Sequence, residues 1–400
     1  MATAQKSQRQ KVGGSKENPS KEEFRILGYK DRPWIPRFWD GMVATAWFPL
    51  LLRNRLCVSP RRWAMAMLMS ALSLVNTSLW LLQMLILGRR IARRQIEGDP
   101  IFVIGHWRSG TTLLHELLVL DQRHTYPNTY DCFAPSHFLL SGWLLRPILA
   151  PLMPKKRPMD DMAAGWDCPQ EDEFALCNMG VPSPYLTIAF ANRPPQNQEY
   201  FDLEQVPPGG RARWKRGLLW FLKCLTVRTP KRTVLKSPPH TSRVRILLEM
   251  FPKARFVHIV RNPYVIFPST VNLWMRLYRN EGLQVPTGEG LEEHVYETFR
   301  RMYEVFERDR QLIPPGQLCE VRYEDLVAAP IERMQEVYDQ LNLGGFEQVR
   351  PAMEAYFAAK ADYKTNRYPV SPEVQAEIAR RWGGFFERYG YPVENGGKTL

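Results

Sequence analysis

The residues able to do chemistry in this chain fall into four short stretches. The first, "FVIGHWRSGTTLLHELL" (Phe102 to Leu118), sets Gly105 and Gly110 at the Gly-x-x-x-x-Gly spacing of a phosphate loop. When such a loop holds a nucleoside triphosphate and magnesium, Lys and then Ser or Thr follow. Here Thr111 and Thr112 follow instead, so the lysine that reaches the terminal phosphates is missing. Backbone N–H groups at the start of a helix have no internal partners and still attract an anion. Ser109, Thr111 and Thr112 add hydroxyl donors, and Arg108 adds a planar cation suited to phosphate oxygens. This loop, closed by Gly110, predicts a site for a single phosphate with no need of a metal ion.

The second stretch, "LKSPPH", offers Lys236 and Ser237; the third, "FVHIVRNPYVIFPST", puts Arg261 eight residues before Ser269. The fourth, "CPQEDEFAL", packs Glu171, Asp172 and Glu173 beside apolar residues. A carboxylate half-buried there would have a raised pKa, which suits it to proton abstraction. His137 in "CFAPSHF" and His240 after Lys236 are candidates for the same task. Each also has a purely structural reading: a hydrogen-bonded core histidine, a helix N-terminus rich in acids, a turn residue.

Holding these residues together requires strands that end where they stand. Ile101 to Ile104 read as a strand running into the loop, with a helix from Thr111. Val234 and Leu235 close a second short strand, after which Ser242 is placed to cap a helix reaching Met250. "ARFVHIV" (Ala254 to Val260) is a nearly continuous apolar run, the mark of a parallel strand covered on both faces. "LCEVRYEDL" supplies another strand before a helix over Ile331 to Leu341, and Arg193 to Trp214 read as a long Pro/Gly-rich surface connection. Repeated strand–loop–helix units imply an α/β fold, a P-loop-like doubly wound parallel sheet flanked by helices, with ligands at the carboxyl ends of its strands.

The 400 residues carry a formal charge of +13, and residues 1–62 hold thirteen Lys/Arg against five Asp/Glu. That placement argues against a nucleic-acid groove in the body of the protein and for an acidic partner near the N-terminus. Trp63 to Leu87 carry no charged side chain; Arg61 and Arg62 precede them and Arg89, Arg90, Arg93 and Arg94 follow. A helix of this length could cross a bilayer core. Against a plain span stand the arginines at both ends and a polar stripe of Ser70, Ser73, Asn76 or Thr77, and Gln83, which suits a helix lying in the interface or half-buried against protein. Tryptophans at 34, 39, 47, 63 and 80 suit an interfacial position. The expected organisation is a disordered basic tail (1–22), an apolar, amphipathic helical membrane-associating segment (23–97) and a catalytic domain (98–400). The six cysteines show no C-x-x-C pair, which points to a reducing compartment.

Taken in order, "FVIGHWRSGTTLLHELL", "FVHIVRNPYVIFPST" and "VRYEDLVAAP" resemble the 5′-phosphosulfate loop, the 3′-phosphate motif and a common downstream segment of sulfotransferases that use 3′-phosphoadenosine 5′-phosphosulfate (PAPS). The likeness spans Pro100 to Leu343 and is strongest to bacterial-type enzymes related to carbohydrate and tyrosyl-protein sulfotransferases. It implies PAPS as co-substrate, no metal, and transfer of a sulfuryl group to a hydroxyl of a sugar, a lipid-linked compound or another small molecule. It implies that Arg108, Ser109, Gly110, Thr111 and Thr112 hold the 5′ end, that Arg261 and Ser269 hold the 3′-phosphate, and that Lys236 meets the bridging oxygen. For the general base, Glu171, Glu173 and His137 stay open; the family's usual glutamate soon after the first helix has no clear equivalent, since "HTYPNTYDCF" offers only Asp131. The arginines on both sides of Trp63 to Leu87, the tryptophans and the scattered cysteines lead to a further expectation, that residues 1 to about 95 attach the protein to a membrane with the catalytic domain on the cytoplasmic side. A P-loop kinase or NTPase and a non-catalytic membrane scaffold are the alternatives; the first lacks its lysine and a Walker B strand.

Overall fold

A computed structural model describes residues 36–152, 165–360 and 369–393. The expected basic tail, Trp34 and the start of the membrane-associating segment therefore lie outside the described residues. Five strands form one parallel sheet: β1 Ile101–Ile104, β2 His124–Thr125, β3 Arg232–Lys236, β4 Arg255–Val260 and β5 Leu318–Arg322. Their order is β2-β3-β1-β4-β5. In register, Val103 of β1 faces Lys236 on one side and Val257 on the other.

The apolar strands fold this way because both faces are covered. Ile101 and Val103 point into a core with Leu114, Leu117, Met334 and Val337, supplied by the helices Thr111–Leu118 and Pro330–Gln340. Phe102 points to the opposite face, stacked on Phe256 with ring centroids 5.6 Å apart. Fully burying one such aliphatic side chain contributes about 1.5–3 kcal/mol. The chain leaves β1 between β3 and β4, on either side of which later strands are added, so a crevice opens at the carboxyl end of β1.

Two local expectations need correction. The helix Val244–Met250 is preceded by a short 3-10 turn, Pro238–Ser242, so Arg243 and not Ser242 stands at its N-cap. The Pro/Gly-rich connection is a surface one only in its first half. From Phe201 it turns inward and runs into the helix Pro208–Arg228, with Phe201, Leu203, Val206 and Trp214 buried.

The uncharged run forms one helix, Trp63–Arg93. Its polar stripe faces inward and binds the rest of the protein along its length. Ser70 Oγ accepts from Trp47 Nε1, Thr77 Oγ1 accepts from the Ala44 N–H, and Asn76 Nδ2 donates to Asp40 O. Further along, Gln83 Nε2 donates to Ser136 O and its Oε1 accepts from Leu140 N. Trp39 and Trp47 are likewise buried, not interfacial, with their indole N–H groups on Glu281 O and Ser70 Oγ.

Candidate functional site

The loop after β1 is shaped by two glycines with no room for a side chain. Gly105 has φ +142°, and a Cβ there would stand 2.4 Å from Ile259 O; its N–H donates to Thr241 Oγ1. Gly110 has φ +106°, and a Cβ would meet the Tyr323 ring at 2.4 Å. Between them Arg108 holds φ +67°, a backbone region that residues other than glycine seldom occupy and that recurs at ligand-holding loops. Ser109 is buried and its hydroxyl donates to His106 O, so it braces the loop from inside. Thr111 and Thr112 line the open side at the start of the helix Thr111–Leu118.

The other basic groups converge on this loop as the strand order requires. Arg108 Nε donates to Ser269 Oγ at 2.8 Å, and Arg261 donates through Nη1 to Arg108 O at 3.1 Å. The Arg261 guanidinium also lies over the Tyr323 ring, 4.0 Å from its centroid. Tyr323 thus supports both Gly110 and Arg261, which gives the "VRYEDL" segment a physical role. Glu324 beside it accepts from the Asn262 N–H and fixes the end of β4. Two arginines, a hydroxyl and a helix start brought together in this way could hold an anion at more than one point.

On the β3 side, Lys236 Nζ reaches Glu171 Oε1 at 2.7 Å, and both side chains are largely buried. Glu171 Oε2 accepts from Tyr185 Oη at 2.5 Å, and that oxygen in turn accepts from Trp107 Nε1. Burial and the Glu171 charge push the Tyr185 phenol well above its usual pKa, so it stays a donor. Beneath this pair the acidic cluster is tied down. Asp172 accepts from Ser237 Oγ at 2.9 Å and lies 2.8 Å from His240 Nε2; the pairing with His240 holds its carboxyl below the usual range against the cost of burial.

Of the three candidate bases, only Glu171 opens on the cleft. Glu173 is fully buried in a two-pronged pair with Arg243 and accepts from Ser183 Oγ as well. His137 is also buried. Its Nδ1 lies 2.8 Å from Ser141 Oγ, and its Nε2 faces Asn76 Oδ1 at 3.1 Å, so it pins the Trp63–Arg93 helix to the domain. Desolvation lowers its pKa to about 4. Both are corrections: neither residue lines the cleft. Asp131 is spent on the Asn128 N–H and an ion pair with Arg228.

Arg108, Thr111, Thr112 and Glu171 floor a cleft that opens to solvent. Its walls are apolar: Phe38, Phe174, Ile188, Leu273, Trp274 and Leu277. Phe38 stacks on Phe174 with centroids 3.8 Å apart, and Trp274 packs edge-on against Tyr185 and Trp107. None of these wall residues, nor Tyr185, was legible as part of a site, because they come from four separate elements and share no spacing. The arrangement suits an anionic donor at one end and a hydroxyl on an apolar body at the other.

A sequence profile described as the Sulfotransferase family matches residues 100–348. The omega-hydroxy-beta-dihydromenaquinone-9 sulfotransferases Stf3 of Mycobacterium bovis and Mycobacterium tuberculosis are 48% identical over 360 residues, covering 90% of this chain and 92% of theirs. Among solved structures, sulfotransferase STF9 of Mycobacterium avium superposes with a TM-score of 0.59 at 18% identity, over 90% of this chain and 98% of that one. Sulfotransferase STF1 of Mycobacterium tuberculosis H37Rv does so with 0.59 at 19% identity, over 91% and 97%. These two share the fold of this chain. With a profile covering more than half its length and relatives identical at nearly every second position, this chain belongs to the sulfotransferase family.

Proposed function

We propose that this sulfotransferase uses PAPS as donor and sulfates the hydroxyl of a lipid-like alcohol. The observation that carries the reading is the cleft itself, in which Glu171, Lys236 and the Arg108 loop form a charged floor beneath aromatic and aliphatic walls. The donor fits this chemistry. The loop N–H groups, Thr111, Thr112 and Lys236 would take the 5′-phosphosulfate end, and Arg261 with Arg108 and Ser269 would take the 3′-phosphate. Gly110 lets the loop close against Tyr323, where a side chain would not fit. When bound, PAPS supplies a sulfuryl group attached to a phosphate leaving group.

The residues of the chain then have distinct tasks. Glu171 faces the cleft and takes the proton of the acceptor hydroxyl as its oxygen gains the new S–O bond. Tyr185 and Lys236 hold that carboxylate in place. Lys236 and the loop donors screen negative charge on the departing phosphate oxygen, the largest contribution an oxyanion-type site makes. The relatives' name identifies an omega-hydroxylated dihydromenaquinone, and an apolar cleft ending in a base suits a hydroxyl at the tip of such a chain. A sugar acceptor would leave its many polar groups against these walls without partners.

We place the reaction on the cytoplasmic side, since the cysteines are scattered through the sequence with no C-x-x-C pair, as suits a reducing compartment. The test is incubation of the purified protein with PAPS and a set of acceptors: an omega-hydroxylated isoprenoid quinone, its unhydroxylated parent and a polysaccharide. A sulfate ester on the first alone, identified by mass spectrometry, supports the reading; sulfation of the polysaccharide alone overturns it.

A further inference from the structure

The outer face of the Trp63–Arg93 helix is apolar but for Ser78. Met67, Leu68, Leu74, Val75, Leu81, Leu82, Leu85 and Ile86 are exposed, at the seven- and four-residue spacings that keep them on one stripe, and Leu85 is 83% exposed. A second helix, Phe138–Leu149, packs beside it and adds Trp143, 77% exposed, with Leu144 and Ile148. Contiguous apolar surface across two neighbouring helices is unusual on a protein that meets only water. The helix contains no Asp or Glu, and exposed arginines stand at both ends: Arg61 before it, Arg89, Arg90 and Arg93 at its close.

From this surface we infer that the two helices form a docking face for an anionic bilayer leaflet, with the Trp63–Arg93 helix lying in the plane of the membrane and not across it. Two observations decide between these orientations. The helix is bonded to the chain before it through Ser70, Asn76 and Thr77, and to the catalytic domain through Asn76, Gln83 and Ala92, which meet His137, Ser136 and Lys223, so a spanning helix would have to give up its bonds to that domain. The polar residues Ser73, Asn76 and Gln83 are turned inward, which leaves an outer stripe that is apolar but for Ser78, of the kind that sinks to the headgroup–acyl boundary. Arginines at both ends then meet anionic headgroups on the same surface.

The docking helix also touches the wall of the cleft. Asn76 Nδ2 donates to Asp40 O and Met42 O, on the Phe38–Gly41 turn whose Phe38 ring lines the acceptor side. A lipid alcohol held in that leaflet is therefore concentrated beside the cleft. This last step rests on the acceptor assignment; the docking face itself does not.

The experiment is co-sedimentation of the full chain with phosphatidylcholine vesicles, with and without phosphatidylglycerol. Binding is expected to need the anionic lipid at physiological salt. The pair Leu85→Glu with Trp143→Glu should lower the partition coefficient by at least about tenfold, and Arg89→Glu by about fivefold or more. Unchanged affinity for adenosine 3′,5′-bisphosphate shows that each variant is folded. Sulfation of a detergent-solubilised acceptor should survive in both, and its absence would count against the acceptor assignment alone. Three results overturn the inference: no sedimentation with either vesicle, a dimer that the Leu85/Trp143 pair dissociates, or terminal tags on opposite sides of a membrane by protease protection.

Discussion

Lys236 Nζ and Glu171 Oε1 are 2.7 Å apart, one at the end of β3 and the other at the N-cap of the helix Asp172–Asn178. Under the proposed function the pair would join the two charges that sulfuryl transfer needs, a cation for the leaving oxygen and a carboxylate for the incoming hydroxyl. Because Tyr185 holds the second Glu171 oxygen, removing either partner should change chemistry more than binding. Glu171→Gln is expected to lower kcat by about 10²–10⁴-fold, the usual worth of a positioned general base, with donor affinity unchanged. Activity within threefold of the parent chain would reassign the base.

The donor site can be tested by ligands that differ in one group. Arg261→Ala should weaken adenosine 3′,5′-bisphosphate by roughly 1.5–3 kcal/mol, the value of a charge-assisted hydrogen bond, and leave adenosine 5′-monophosphate almost untouched. Calorimetry that finds equal losses for both ligands would move the 3′-phosphate away from Arg261. Activity is also expected to persist in excess chelator.

Gly110→Ala should damage the loop from both sides of its backbone. The residue sits at φ +106°, and the new methyl would press on the Tyr323 ring. A cost of at least about 1–3 kcal/mol in stability is expected from the backbone conformation alone. Thermal unfolding measures it. Tyr323→Ala combined with Gly110→Ala should recover only the part due to the contact.

Stability should also vary with pH through Glu281, which burial raises to about 7 while it accepts from the Phe38 N–H. Arg37, Arg62 and Asp40 are the charges that face it. A carboxyl whose folded pKa lies above its unfolded value stabilises most when protonated, so its contribution is full below about pH 4.5 and is lost as pH rises through about 7. Urea unfolding of the parent chain and of Glu281→Gln should therefore diverge between about pH 4.5 and 7 and stay a constant distance apart above that, by at most roughly 3 kcal/mol. Parallel curves from pH 5 to 8 would show that Glu281 does not titrate there.

The parts of the fold that were legible in the sequence are those fixed by local chemistry. β1, the loop glycines and the helix from Thr111 follow from an apolar run, a turn and a period, and Arg261 and Ser269 stand where a strand end and the next helix place them. The polar stripe was equally visible, but its direction was not. Ser70 and Asn76 could equally have faced water, until Trp47 and Asp40, distant in sequence, took their hydrogen bonds. His137 and Glu173 looked like candidate bases for the same reason: residue type announces acid–base capacity, whereas Asn76 and Arg243, which engage them, come from elsewhere in the chain. Tyr185 left no signal at all, since a tyrosine in "SPYLTIAF" has no period or spacing that distinguishes a site residue from core.

The most direct test of the central claim is a single-turnover reaction with radiolabelled PAPS and an omega-hydroxylated isoprenoid alcohol presented in anionic vesicles. Transfer of label to the lipid hydroxyl by the parent chain, abolished in Glu171→Gln while adenosine 3′,5′-bisphosphate still binds, is the expected result. Label that stays on the donor, or that moves equally well in Glu171→Gln, would contradict it.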